Sequence, residues 1–129
     1  MFGEEDDMSS LLLSINPKFV DRIISGDKQF EYRKFKCRED VEHIVIYSTS
    51  PMQRVVAEAR IEYVVEGPVP DVWERTKDYS GIDKEFYYSY YKNKNHAYAY
   101  RLSDVTVYAR PKTLGEIGVK YPPQSYCYI

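Results

Sequence analysis

Cysteine, histidine and tryptophan are scarce in these 129 residues: two, two and one. Cys37 and Cys127 lie far apart, with no CxxC and no Cys/His cluster, so neither a zinc site nor a redox motif is indicated and both are expected as reduced thiols. His43 opens an apolar segment and His96 sits among Lys92, Asn93, Lys94 and Asn95, which reads as one structural and one exposed histidine. No metal and no cofactor are expected. A Gly-rich phosphate loop, a G-x-S-x-G elbow and an H-E-x-x-H helix are all missing, which leaves P-loop hydrolysis, serine esterase and zincin chemistry unsupported. No stretch approaches the roughly 18 to 20 apolar residues of a membrane span, and the first residues lack the order of a signal peptide. A cytoplasmic location with no membrane partner is the expectation.

Strong positive charge is also missing, since 18 Lys+Arg face 20 Asp+Glu for a formal net charge of -2. The sum hides its distribution. Glu4, Glu5, Asp6 and Asp7 crowd the start, whereas Lys18 to Arg38 holds seven basic residues against three acidic ones. A strongly basic duplex binder is excluded, but a local anion-accepting site is not.

Tyrosine is abundant: 14 residues, eight of them between Tyr79 and Tyr108. Such side chains either stack on bases or fill half-buried positions with the hydroxyl at the boundary.

Residues 1–9 carry like charge without apolar period and read as a disordered acidic tail. Residues 10–129 read as one domain. Ser10 to Ile15 is a short apolar run fitting a buried strand, and Asn16-Pro17 then caps and opens a helix. In that helix Phe19, Val20, Ile23 and Ile24 are expected on one face, and Gly26 ends it. Gln29 to Phe35 reads as a strand with Phe30 and Tyr32 on one side and Glu31 and Arg33 on the other. His43 to Ser48 reads as a central strand. Arg54 to Val65 reads as a long one, with Val55, Ala57, Ala59, Ile61 and Tyr63 opposite Val56, Glu58, Arg60, Glu62 and Val64. Two helices are expected next, Asp71 to Lys77 and one capped by Asp83 with a Phe86, Tyr87, Tyr90, Tyr91 stripe. Strands at His96 to Leu102 and Val105 to Ala109 follow, then a helical turn with capping-box spacing at Thr113 and Glu116, and a closing strand at Tyr126 to Ile129. The sum is an α+β fold, mainly β, whose short strands remove their edges by curling into a small β-barrel with peripheral helices.

The segment most able to carry chemistry is Gly26-Asp27-Lys28-Gln29-Phe30-Glu31-Tyr32-Arg33. A turn after a helix releases Lys28, and the strand points Glu31 and Arg33 to one side. An amine, a carboxylate and a guanidinium near one cleft offer an anion anchor and a group able to move protons. A solvated ion pair would look the same in sequence and contribute less than about 1 kcal/mol.

These residues match the GxKxxExR motif of the ASCH domain, a small β-barrel family related to PUA domains. Leu13-Ser14-Ile15-Asn16-Pro17, Tyr47-Ser48-Thr49-Ser50-Pro51 and Pro122-Pro123-Gln124-Ser125 resemble the family's opening strand, a central turn and the closing segment. The resemblance implies a cleft that binds RNA or a modified nucleotide, lined by Lys28, Glu31 and Arg33, with Ser48, Ser50, Gln124 and Ser125 as neighbours. Some small members resemble amidohydrolases of acylated cytidine, which use a lysine, a hydroxyl three places later and a distant glutamate. This chain keeps Lys28 but has Glu31 where the hydroxyl would stand; Glu58 is the candidate for the distant glutamate.

Three functions are therefore in view. The first is a module binding single-stranded RNA or a nucleotide, acting in RNA metabolism or regulation. The second is an enzyme with Lys28 and Glu31 as catalytic groups, either an amidohydrolase on a modified nucleoside or a ribonuclease. The third is a regulatory domain that docks a protein through Tyr79 to Tyr100.

Overall fold

Leu11, Leu12 and Leu13 are fully buried, so strand β1 (Ser10–Ile15) is covered on both faces and tolerates no polar alternation. This computed structural model describes residues 9–129. The expected acidic tail thus lies, apart from Ser9, outside the described residues.

Helix α1 (Pro17–Ser25) starts as its sequence requires: the Asn16 side chain accepts from the Lys18 N–H, and Pro17 fills the first turn. Gly26, at φ 92°, ends it. Only Val20 and Ile23 are buried; Ile24 remains 41% exposed, so the apolar face is narrower than its spacing suggests.

Strands β2 (Phe30–Arg33), β3 (His43–Ser48), β4 (Arg54–Pro68), β5 (His96–Lys112) and β6 (Tyr126–Tyr128) join β1 in one sheet of order β2-β5-β4-β3-β1-β6. The β1–β3 pair is parallel and the other pairings are antiparallel. The sheet curls into a half-barrel with helices α1, α2 (Val69–Thr76) and α3 (Lys84–Tyr90) at its periphery, the mainly β architecture expected.

Two expectations are corrected by irregularities in the β4–β5 ribbon. Its register shifts in three places, so Val56 packs with Ala57 and Ala59 while Val55 packs with Leu12, Val45 and Tyr47. Strict alternation along β4 fails because a bulge resets which face the next residue meets. The strands expected at His96 to Leu102 and Val105 to Ala109, on either side of a bend or bulge at Ser103-Asp104, are one continuous strand, with Asp104 at φ 51° where the bend was expected.

The tyrosine stripe is also redistributed. Asp83 caps α3 by accepting from the Phe86 N–H, but Tyr87 and Tyr91 are buried whereas Phe86 is 42% exposed. Burial pushes the Tyr87 and Tyr91 hydroxyls above the ordinary tyrosine range, and Tyr87 donates to the Val69 carbonyl at 2.7 Å. Tyr91 donates to the Arg33 carbonyl at 2.8 Å and Tyr100 to the Phe35 carbonyl at 2.7 Å. Each hydroxyl satisfies a backbone carbonyl where a regular element begins or has just ended.

The outer strands of the sheet, β2 and β6, are brought together by side chains rather than by a backbone ladder. Arg33 reaches from β2 to the Ser14 carbonyl of β1 and to Ser125, just before β6. Phe35 stacks on Tyr126 with centroids 3.8 Å apart, and the Arg38 N–H donates to the Tyr128 hydroxyl. The candidate site lies along this seam.

Candidate functional site

Local chain geometry delivers the first residue of the site. Once Gly26 has ended α1, the Lys28 N–H donates back to the Arg22 carbonyl and the Gln29 N–H donates to the Tyr79 carbonyl. The lysine side chain is thereby directed inward, where it is only 3% exposed. Its Nζ donates to the Ser80 carbonyl at 3.2 Å and lies 3.6 Å from Glu31 Oε1. The rings of Tyr32 and Phe19 are 4.9 Å and 5.6 Å from it. Burial holds the amine below its ordinary pKa of 10.5, and the Glu31 carboxylate opposes that shift without cancelling it.

Glu31 and Arg33 share a strand face as expected, but they are buried at 7% and 8% exposure, which removes the solvated ion-pair reading. The guanidinium donates from Nε and from one terminal nitrogen to Glu31 Oε2, at 3.0 Å and 2.9 Å. That terminal nitrogen also reaches the Ser14 carbonyl at 3.1 Å, and the other reaches the Ser125 carbonyl at 3.3 Å and hydroxyl at 3.1 Å. Five N–H groups thus meet five protein contacts. Arg33 fixes Glu31 and the segment before β6, and Lys28 and Arg33 both line the cleft.

That cleft, of about 210 Å³, is walled by Ser14, Asn16 and Phe19 on one side and by Ile82, Phe86 and Tyr90 on the other, with Lys28, Glu31, Tyr32 and Arg33 at its base. Phe19 and Phe86 meet edge to face at 5.1 Å. Tyr32 is held by Thr76: the threonine hydroxyl donates to the Val72 carbonyl, so Tyr32 is the donor of their 2.8 Å bond. Burial raises the Tyr32 hydroxyl to about 12, which keeps it neutral.

The other sequence candidates divide. Ser125 is exposed and lies outside the cleft lining, but its hydroxyl oxygen accepts from Arg33, leaving its own proton available to a ligand. Gln124, its exposed neighbour, is outside the lining too. Ser48 is buried and faces a separate groove with Pro17 and Val20, while Ser50 is exposed in the following turn; neither lines the cleft. Glu58 does not line it either, because its side chain accepts from Tyr108 at 2.9 Å, across β5. Conversely, Asn16 was legible as a helix cap within the opening segment, and Phe19, Phe86 and Tyr90 as helix-face residues, but none of them as cleft lining; Ile82 carried no signal. Among the described residues no group of three or more His, Cys, Asp or Glu side chains is placed to hold a metal ion. No helix among them is long and apolar enough to cross a membrane.

One glycine shapes the site. Gly81 has φ +69°, and a Cβ there would fall 2.7 Å from the Lys28 Cα and closer still to its Cβ. Gly81→Ala therefore combines left-handed strain with a backbone clash and should cost about 2–4 kcal/mol in urea unfolding. Full stability in that variant would contradict the tight apposition of the Ser80–Gly81 turn on Lys28.

No family model matches the chain. Among curated proteins it is similar over 127 residues to the large ribosomal subunit protein uL22 of Ureaplasma parvum serovar 3, at 28% identity. It spans 98% of itself but only 41% of that relative's length. A second relative, the ASCH domain-containing ribonuclease of Zymomonas mobilis subsp. mobilis, is 30% identical over 128 residues, covering 95% of this chain and 86% of the relative. The crystal structure of ASCH from Zymomonas mobilis superposes with a TM-score of 0.84 at 30% identity, over 93% of this chain and 87% of that one. Sequence likeness over nearly the whole of both chains, on the same mainly β frame, is what common membership requires. The chain belongs to the ASCH domain family.

Proposed function

We propose that this chain binds single-stranded RNA, seats one unpaired nucleotide in the Lys28 cleft and cleaves the adjoining phosphodiester. The observation that carries the reading is a lysine amine, 3% exposed and held below its ordinary pKa, at the base of a cleft walled by aromatic rings. At about 210 Å³ the cleft is smaller than a drug-sized pocket and suits a single base, with Phe86 and Tyr90 as stacking surfaces. A duplex would not enter, since its bases are already stacked. The ribonuclease name carried by the Zymomonas mobilis relative supports the choice of RNA and of cleavage.

In the chemical step the Lys28 amine, in its deprotonated form, takes the proton of a ribose 2′-hydroxyl. The 2′-oxygen bonds to phosphorus, the bond from phosphorus to the 5′-oxygen breaks, and that oxygen leaves with a proton returned by the lysine. Glu31 receives the amine's hydrogen bond and balances its charge when it is protonated. The Ser125 hydroxyl, oriented by Arg33, donates to a phosphate oxygen as charge develops there.

The tyrosine-rich segment does not favour the protein-docking alternative: Tyr87, Tyr91 and Tyr100 belong to the core.

A labelled single-stranded oligoribonucleotide tests the reading. Binding should weaken as salt rises, with a slope near ~0.7 per phosphate contacted, and products should end in 2′,3′-cyclic phosphate. Absence of salt-dependent binding at micromolar protein, with no cleavage above a Lys28→Met control, overturns it. Turnover of N4-acetylcytidine with intact RNA would instead favour the amidohydrolase alternative.

A further inference from the structure

A second concavity, of about 380 Å³, lies beside the first and is lined by Gln29, Phe30, Tyr63, Arg75, Tyr79 and Arg101. Its residues converge from five elements. Phe30 and Arg101 are register partners across β2 and β5, and Arg101 is in turn opposite Tyr63 on β4. Arg75 comes from α2, and Tyr79 from the 3-10 turn that follows it. Phe30, 4% exposed, forms an apolar floor; Tyr63 and Tyr79 rise beside it at 50% and 56% exposure.

Two features of this patch bear on a ligand. Among the described residues neither Arg75 nor Arg101 forms a salt bridge, as is true of several other basic residues, and Arg101 also donates to the Leu102 carbonyl. Two guanidinium groups without carboxylate partners, flanked by two accessible phenol rings, have the chemistry for phosphate oxygens and for base faces. The patch is also one backbone wall away from the Lys28 cleft. Lys28 and Ser80 belong to the cleft side of that wall and the next residues, Gln29 and Tyr79, line the second concavity; the wall is closed by the Gln29 N–H to Tyr79 carbonyl bond at 2.9 Å.

We propose that this patch is a second nucleotide subsite, holding the phosphate and base that flank the nucleotide seated in the Lys28 cleft. The assignment rests on the single-stranded RNA reading and adds to it a direction for the strand: over the Tyr79–Gly81 turn, from Lys28 toward Arg75 and Arg101. Arg75 and Arg101 grip the phosphate, and Tyr79 or Tyr63 stacks on the base.

The test compares an eight-nucleotide single-stranded RNA with uridine monophosphate, each titrated by fluorescence or calorimetry against wild type and the Arg75→Gln/Arg101→Gln double variant. The eight-mer should bind the variant at least about tenfold more weakly, with a salt slope smaller by roughly 1.4 for two lost phosphate contacts. Uridine monophosphate should bind both proteins equally. Tyr79→Ala should weaken the eight-mer about fivefold or more without changing that slope. Unchanged eight-mer affinity in the double variant, or equal losses for eight-mer and mononucleotide, overturns the subsite while leaving the Lys28 cleft intact. Failure of wild type to bind either RNA overturns the underlying reading and this one with it.

Discussion

Lys28→Met should remove RNA cleavage and at the same time make the protein more stable. Loss of the amine at the base of the cleft takes away the proton acceptor, and such groups contribute about 10²–10⁴ in rate. Stability should move the other way, because methionine has nearly the same length and apolar stem and carries no charge to desolvate. Its loss leaves Glu31 still paired with Arg33 at 2.9 Å, so no buried charge is orphaned. Replacing buried ions by apolar groups of similar volume is often neutral or stabilising by about 1–4 kcal/mol, and a gain near the low end would raise Tm by about 3–5 °C.

The pH dependence has a definite sign. The folded chain holds the Lys28 proton less tightly than the unfolded chain, whose amine keeps the ordinary value of 10.5. Between the folded pKa and 10.5 the unfolded state binds more protons, so the penalty of burying Lys28 is fully present below that window and is relieved as pH rises through it. The stability difference between Lys28→Met and wild type should therefore shrink toward pH 10.5, measured by urea unfolding at several pH values. A difference that is constant with pH would show that the amine is not desolvated.

Arg33→Met should have the opposite effect on folding. Glu31 would remain buried with only Lys28, at 3.6 Å, and the Ser14 and Ser125 carbonyls would lose their donor. Removing one partner of a buried pair costs about 3–5 kcal/mol, a large share of the roughly 5–15 kcal/mol of a typical domain. The loss falls on the seam between β2 and β6, so hydrogen exchange should rise first over Ser125 to Tyr128. Adding both Lys28→Met and Glu31→Gln to Arg33→Met should recover part of the stability, because the triple change removes the buried charges together with their partners. If the triple variant is no more stable than Arg33→Met, the guanidinium acts by packing alone.

Much of this architecture follows from local rules that a sequence displays openly. The Asn16-Pro17 start and Gly26 stop of α1, the Phe30/Tyr32 against Glu31/Arg33 alternation and the Thr113–Glu116 capping box are short-range, and each appears as expected. What escaped depends on long-range packing. Val56 and Val55 point where register shifts send them, and no residue-level period announces a bulge. Ile24 and Phe86 stay at 41% and 42% exposure because their neighbours cover only part of each, Phe19 meeting Phe86 by an edge, a fact about the neighbours and not about the helices.

The site was legible in the same uneven way. Lys28, Glu31 and Arg33 sit in one contiguous motif, so eight residues were enough to find them. Their division of labour was not in the motif, since Arg33 was expected to hold an anion and instead has its N–H groups turned to Glu31, Ser14 and Ser125. Ser125 reaches Arg33 because β6 returns beside β1, and Phe86 and Tyr90 line the cleft because α3 brings them to it. Glu58, chosen for its place on a mixed strand face, is drawn instead to Tyr108.

The most direct test of the central claim follows the ε-methylene resonances of Lys28 by NMR through a pH titration, with and without a short single-stranded RNA. The account predicts a midpoint below 10.5 in the free protein and a shift of that midpoint upward when RNA places a phosphate beside the amine, accompanied by perturbation of Phe86 and Tyr90. A midpoint at or above 10.5, or RNA that leaves the Lys28 resonances unmoved while it binds, would contradict it.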